Sequence, residues 1–262
     1  YIQNNFFDQI NCFIASKYNH ISLLEILLKN KQNDVNKKIC TIKKKGKLYY
    51  TALFVAIEKG NHFIVDLLLK NEDINVNVLN TVYMKKIEKK TALHLAIEKG
   101  EFEIINKLLQ NKSINVNINK TINKSNRKMN LSRNETALTI AVKKGKSEIV
   151  KLLLTKENID VNSLQTVTIE PTYEYEDEKE EDTEYKTTRS TVNKSALYIA
   201  IKKENIEIVK LLLAKENIDV NLSYTKNLKY KREYNKDQMG WSYCEYYSLD
   251  TTESKIEIWY IF

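Results

Sequence analysis

One stretch of sequence is written into this chain four times in the same register: TALFVAIEKGNHFIVDLLL from Thr51, TALHLAIEKGEFEIINKLL from Thr91, TALTIAVKKGKSEIVKLLL from Thr136 and SALYIAIKKENIEIVKLLL from Ser195. Each copy is followed shortly by N-V-N or D-V-N. A fainter fifth copy comes first, with Ala15 in the place of Ala56, Ala96, Ala141 and Ala200, and with Asp34-Val35-Asn36 closing it. A unit of this size cannot bury its own apolar face, so neighbours must stack, and the chain is expected to be a solenoid. Contacts then run only from each unit to the next, and one elongated array is expected over residues 1–221, followed by a tyrosine-rich stretch over 222–262.

Within one copy, Leu93, Ala96 and Ile97 fall at i, i+3 and i+4, the spacing of a short amphipathic helix. Gly100 breaks it, and Ile104, Ile105, Leu108 and Leu109 mark one face of a second helix, so each unit reads as a helix pair joined by a tight turn. Thr51, Thr91, Thr136 and Ser195 stand where a hydroxyl caps the first helix. Paired alanines such as Ala92 and Ala96 let neighbouring first helices approach closely. The turn glycine is kept as Gly60, Gly100 and Gly145 but becomes Asn19 in the first copy and Glu204 in the last. A turn with positive φ tolerates Asn better than Glu, so the last copy is expected to be the most strained or to use a modified turn.

These residues resemble the ankyrin repeat, whose T-P-L-H-x-A signature is matched best by Thr91-Ala92-Leu93-His94-Leu95-Ala96, and the likeness runs from about residue 10 to Asn221. The resemblance implies a mostly all-α solenoid of helix-turn-helix units with elongated β-hairpin fingers, working as a non-enzymatic protein-binding scaffold. The chain departs from the signature in two ways. Ala replaces the proline in every strong copy, and Phe54, Thr139 and Tyr198 stand where only His94 keeps the histidine. The threonine to histidine hydrogen bond of the family is therefore expected in one repeat at most.

Equivalent alanines are 41, 40, 45 and 59 residues apart, against about 33 in ankyrin repeats. Most of the excess lies between the V-N and the next T-A-L, over residues 37–50, 78–90, 118–135 and 163–194, the segment that forms a hairpin finger in ankyrin-like proteins. Insertions that spare the helices and enlarge one face are expected where a solenoid meets its partner. The formal charge of +8 resides in these fingers: they carry +6, +3, +4 and −5 in order, while the helical body and the tail are neutral. Lysine on exposed hairpins also keeps sheet edges from pairing with other chains, so charge alone does not name a ligand.

Candidate contacts follow from position in the repeat. The fingers offer Lys43, Lys44, Lys45, Lys85 and Lys86 together with Tyr49, Tyr50 and Tyr83, and the first-helix groove offers Tyr198. The residues before each inter-helix turn are expected to point into the groove: Lys17 and Tyr18, Glu58 and Lys59, Glu98 and Lys99, Lys143 and Lys144, Lys202 and Lys203. The groove so defined grows more basic toward the C-terminus. The acidic run from Glu174 to Glu184 suggests an intramolecular competitor folding over Lys143, Lys144, Lys202 and Lys203, although its composition also suits a disordered loop. In the tail, Lys229-Tyr230-Lys231-Arg232 interleaves base and aromatic as single-strand nucleic-acid sites do, or as a fifth finger would, and Lys255 to Phe262 alternates like a strand opening a further repeat.

Chemistry beyond binding finds little support. His20, His62 and His94 belong to successive copies, and Asp34, Asp160 and Asp219 lie in the loop after the second helix, where short polar side chains satisfy backbone donors. No glycine-rich phosphate loop, paired metal ligands or nucleophile motif occurs, so no catalytic residue, metal or cofactor is expected. Cys12, Cys40 and Cys244 are odd in number and far apart, as reduced thiols of an intracellular protein are, cytoplasmic in preference to nuclear. No stretch approaches the roughly 18 to 20 apolar residues of a membrane span. The first residue is Tyr1 rather than Met, which points to a fragment. The function expected is a monomeric scaffold that binds a protein partner with acidic surface, apolar and tyrosine contacts giving affinity and lysines giving association rate. Two alternatives stay open: a polyanion binder for RNA, DNA or anionic lipid, and the regulatory segment of a longer enzyme.

Overall fold

The apolar spacing of each copy closes into two helices packed side by side. The computed structural model describes residues 11–44, 46–126, 129–171, 185–222, 224–236 and 241–251. In chain order the helix pairs are α1 (Cys12–Lys17) with α2 (Ile21–Lys29), α3 (Ala52–Lys59) with α4 (His62–Leu69), α5 (Ala92–Lys99) with α6 (Phe102–Gln110), α7 (Ala137–Lys143) with α8 (Ser147–Leu154), and α9 (Ala196–Lys202) with α10 (Ile206–Leu213). First helices stack on first helices and second on second along the whole array. Ala15, Ala56, Ala96, Ala141 and Ala200 are all fully buried in the first-helix layer, where a longer side chain would hold neighbouring helices apart. The apolar face of each second helix, such as Ile104, Ile105 and Leu108 of α6, closes the core from the other side.

Caps and turns repeat as faithfully as the core. The hydroxyls of Thr51, Thr91, Thr136 and Ser195 accept from the backbone N–H three residues on, and Asn11 does the same for the first copy. At the far end the carbonyls of Ala15, Ala56, Ala96, Ala141 and Ala200 accept from the N–H five residues on, at 2.9 to 3.2 Å, closing the same left-handed turn five times. That closure requires positive φ: 72°, 78° and 66° at Gly60, Gly100 and Gly145, 59° at Asn19 and 56° at Glu204. Of the two outcomes expected for the last copy, the turn is unmodified and Glu204 sits in the strained region.

Neighbouring repeats are also stitched by asparagine. In the first four copies the last residue of the V-N donates its amide to a backbone carbonyl of the next repeat and accepts a backbone N–H two residues further on. Asn36 joins Asp73 O and Asn75 N, both at 2.7 Å. Asn77 joins Ser113 O and Asn115 N, Asn117 joins Asn158 O and Asp160 N, and Asn162 joins Asn217 O and Asp219 N, all at 2.7 to 2.9 Å. Each rung satisfies one donor and one acceptor of a loop that neither helix nor sheet serves. The expected role of Asp34, Asp160 and Asp219 holds, since each accepts from the backbone N–H two residues on.

Between repeats lie paired strands: β1 (Ile39–Lys43) and β2 (Gly46–Tyr50), β3 (Asn80–Tyr83) and β4 (Ile87–Lys90), β5 (Lys120–Ser125) and β6 (Met129–Glu135), β7 (Leu164–Pro171) and β8 (Tyr185–Ser195), β9 (Tyr224–Lys236) and β10 (Trp241–Thr251). These hairpins do not stand apart. Each pairs with the next to make one antiparallel sheet of ten strands in sequential order. Two strands at about 4.8 Å each span about 10 Å, close to the spacing of packed helices, so one hairpin per repeat lands beside its neighbour. The expectation of a mostly all-α chain is corrected accordingly: the helix-pair solenoid is present, but strand residues are almost as numerous as helical ones. Pairing between adjacent hairpins lengthens along the chain, from three registered positions at β2–β3 and β4–β5 to six at β6–β7 and ten at β8–β9. At its narrow end, Gly46 is required by contact, since a Cβ there would meet the Tyr83 carbonyl oxygen at 1.8 Å. Lys45, the acidic run Glu174 to Glu184 and the ending Lys255 to Phe262 lie outside the described residues.

Candidate functional site

Alternation along the finger strands sends one set of side chains out to solvent, and several of them are apolar. Ile42 is 77% exposed and shares its face with exposed Tyr83 and Ile87; Met84, Lys85 and Lys86 are exposed at the tip of the second finger, Lys43 and Lys44 at the tip of the first, and Met129 on the opposite face of the third. A shallow hollow of about 590 Å³ crosses fingers two to four, lined by Met84, Ile87 and Leu131 and by Lys85, Lys86 and Lys124. Tyr49 and Tyr83 meet edge to face, centroids 5.6 Å apart at 80°, and join the first two fingers. Tyr50 does not belong to this surface. It is 7% exposed, its ring packs 4.5 Å from Phe54, and burial pushes its hydroxyl up to about 12. Its place directly before the cap of α3 turns the side chain into the core rather than toward a partner.

At the mouth of the groove the basic residues divide. Lys59, Lys99, Lys144, Lys202 and Lys203 are exposed, and the Lys202 ammonium lies 6.0 Å from the ring centre of half-buried Tyr198. Glu58 is half-buried. Glu98 is taken up internally: Lys90 Nζ approaches Glu98 Oε2 at 2.7 Å and Glu88 Oε1 at 3.1 Å, while Lys120 reaches Glu88 Oε1 at 3.2 Å and bonds Glu98 as well. Lys86 adds a contact to Glu88 at 2.8 Å. Burial alone would raise the Glu88 carboxyl, but Lys86, Lys90 and Lys120 outweigh it and hold it at about 2. The same balance lowers Glu98, and Lys120 is raised because its carboxylates outweigh its own burial. Glu98 is thus a structural ion rather than a partner contact. Lys143 is likewise committed, at 2.8 Å from Glu135 Oε1, whose carboxylate also accepts from the Gln165 amide.

These pairs occupy one repeat position, which reading the copies one by one did not reveal. The residue before the cap and the residue seven after it are Tyr50 and Glu58, Lys90 and Glu98, Glu135 and Lys143, and Lys194 and Lys202 in successive copies. In the second and third strong copies a finger base and a helix end therefore meet in an ion pair. The sign of the pair reverses between the second and third strong copies. The signal was in the sequence, as an eight-residue spacing across the cap that is easy to mistake for helix periodicity.

Behind this rim the single histidine signature behaves as expected: Thr91 Oγ1 and His94 Nδ1 are 2.8 Å apart, and the Thr91 N–H donates to the same nitrogen at 3.2 Å. Burial depresses His94 to about 4, with Lys120 and Lys90 acting in the same direction against Glu98. Thr139 replaces the histidine functionally in the next copy, its hydroxyl accepting from the Thr136 N–H at 2.9 Å. Where Phe54 stands, the side chain of Asn80 accepts the Thr51 N–H at 2.7 Å instead.

Among the described residues no group of three His, Cys, Asp or Glu side chains is placed to hold a metal ion, and no helix is long and apolar enough to cross a membrane. A family model of ankyrin repeats (three copies) matches the chain over residues 12–121, 85–165 and 118–224. No curated protein matches it.

Proposed function

This chain belongs to the ankyrin-repeat family, a family of protein-interaction modules, and on that premise we propose that it is a binding scaffold whose partner presents an acidic surface to the finger sheet and to the basic end of the groove. The observation that carries this reading is the finger face itself, where exposed Ile42, Tyr83 and Ile87 lie on one side of the sheet, with exposed Met84, Lys85 and Lys86 at the tip of the second finger and Lys43 and Lys44 at the tip of the first. Apolar side chains held in water by a sheet favour a protein surface that can cover them. The lysines around them attract an acidic face and raise the rate of encounter. Tyr198, Lys144, Lys202 and Lys203 extend the same surface along the groove, with Lys59 and Lys99 as its weaker N-terminal continuation.

Affinity capture from the native lysate at physiological salt tests the reading, with and without nuclease, alongside a variant in which Lys43, Lys44, Lys85 and Lys86 become Glu. A discrete protein that survives nuclease and is lost from the variant is the expected result. Capture that vanishes with nuclease assigns the fingers to nucleic acid instead, because binding through phosphates alone has no use for the apolar side chains and falls steeply with salt.

A further inference from the structure

Terminal repeats of a solenoid ordinarily present a polar outer face to water. Among the described residues, neither end of this array does. In the first copy Ile14, Leu23 and Leu27 are only half-buried, whereas the residues at the same positions of the later copies, such as Val55, Ile64 and Leu68, are buried under the repeat before them. In the last copy Ile201 and Ile218 are half-buried and Val220 is 45% exposed. Val35, Val76, Val116 and Val161, which stand at the place of Val220 in the earlier copies, are 3% exposed or less under the repeat that follows. The two ends therefore carry the two halves of one interior junction, both open.

The asparagine rung is divided in the same way. Asn221 stands where Asn36, Asn77, Asn117 and Asn162 bridge to the next repeat, and its side chain has no hydrogen-bond partner among the described residues. Gln32 and Asp34 stand where Asp73 and Asn75 receive that bridge. Among the described residues the Gln32 carbonyl accepts no bond and the Asp34 N–H donates none. An unused donor and acceptor at one end are thus matched by an unused acceptor and donor at the other. In the sheet, β1 and β10 are each paired on one side only among the described residues, and sequential antiparallel order over ten strands makes them run in opposite directions, as neighbours in this sheet do.

We propose that a second copy of this chain stacks head to tail on the first, its α1–α2 face covering Ile201, Ile218 and Val220 and its Gln32–Asp34 loop receiving Asn221. The occupant follows from continuity with the four interior junctions, where each of these faces is covered, and each of these bonds is made, by another repeat of the same design. The open faces lie at opposite ends, so every added copy presents a fresh one, and the contact propagates as a linear assembly instead of closing as a symmetric pair. Such an assembly multiplies the finger surface proposed above without depending on it.

Sedimentation of the full chain over a range of concentrations tests the stacking, with Val220→Glu, Asn221→Asp and Phe63→Ser compared. Val220→Glu sets an unpaired charge in the contact and is expected to weaken association about a hundredfold. Asn221→Asp removes the donor of the rung and turns a carboxylate toward the Gln32 carbonyl, for a loss of about tenfold. Both residues are exposed, so neither change disturbs the core of a single chain. Phe63, 80% exposed on α4 and away from both ends, is the control, and Phe63→Ser is expected to leave association unchanged. A mass that climbs with concentration past two chains, and does so less in the two end variants alone, is the expected result. A single-chain mass at every concentration overturns the proposal, and an assembly that stops at two chains overturns its head-to-tail geometry. Equal loss in Phe63→Ser assigns the association to general apolar contact and overturns it as well.

Discussion

The helix layer and the finger sheet arise from the same repeat and obey opposite rules. In the helix layer five alanines are buried at the same position and their carbonyls close the same turn, with little change of residue from copy to copy. In the sheet, the residue before the cap runs through Tyr50, Lys90, Glu135 and Lys194, and strand length grows from four residues to thirteen. Stacking constrains each side chain because a helix must fit the helix before it and the helix after it. A hairpin needs only alternation and a neighbour of matching register. Charge can change sign from one finger to the next without disturbing the core, which is why a surface for recognition develops there.

That contrast can be broken first at its strong side. Leu108→Ala, fully buried in α6, is expected to cost about 2–5 kcal/mol. A urea unfolding curve that shifts by less than about 1 kcal/mol would show that the helix layer tolerates change as the fingers do.

A second effect develops only with acid. His94 stays neutral in the folded chain because its pKa is held at about 4 against an ordinary 6.5. Between those values the unfolded chain binds a proton that the folded chain refuses, so stability falls as pH drops from about 6.5 to about 4. Glu88, held at about 2 against an ordinary 4.5, then loses its contribution from about pH 4.5 downward. His94→Thr copies the Thr136–Thr139 cap into the second strong copy and is expected to flatten the upper part of this profile, measured by thermal unfolding across pH, while leaving the lower part in place.

Smaller still is the turn. Glu204→Gly is expected to gain about 1 kcal/mol and Gly100→Ala to lose about as much. A Cβ at Gly100 meets nothing within 4 Å, so backbone strain is the only difference being measured. Opposite shifts in melting temperature would sharpen the idea that the turn is invariant in geometry even where its residue is not. Least of all, Tyr83→Ala on the finger face is expected to change stability by no more than about 0.5 kcal/mol while reducing partner capture.

The helix layer was legible because each of its rules is local: apolar spacing, a hydroxyl cap, a positive-φ turn. Even Glu204 was flagged by residue type alone. The joining of fingers into one sheet was not legible, since it depends on the match between hairpin width and helix spacing, a property of no single finger. Tyr50 and Glu98 were misjudged for a related reason. Each sits at a position whose direction is set by the junction of two elements, and residue type suggested exposure where geometry brings burial or pairing. The asparagine of each V-N was visible in all five copies, yet the partners of the first four lie 36 to 57 residues away in sequence.

The flare of the sheet bears on how such a gene can change its length. Deleting one whole repeat leaves a seamless helix stack, because every first helix presents the same alanine to the next. The strands are less forgiving. Removing the repeat that begins at Thr91 together with its finger would bring β2 of five residues against β5 and β6 of six and seven, a modest mismatch. Losing β5 to β8 would set four-residue β4 beside thirteen-residue β9 and leave most of one edge of β9 unpaired in water, while its other edge stays on β10. Recombination is thus freer among the early repeats than among the late ones, and the order in which the fingers lengthen acts as a ratchet on the architecture.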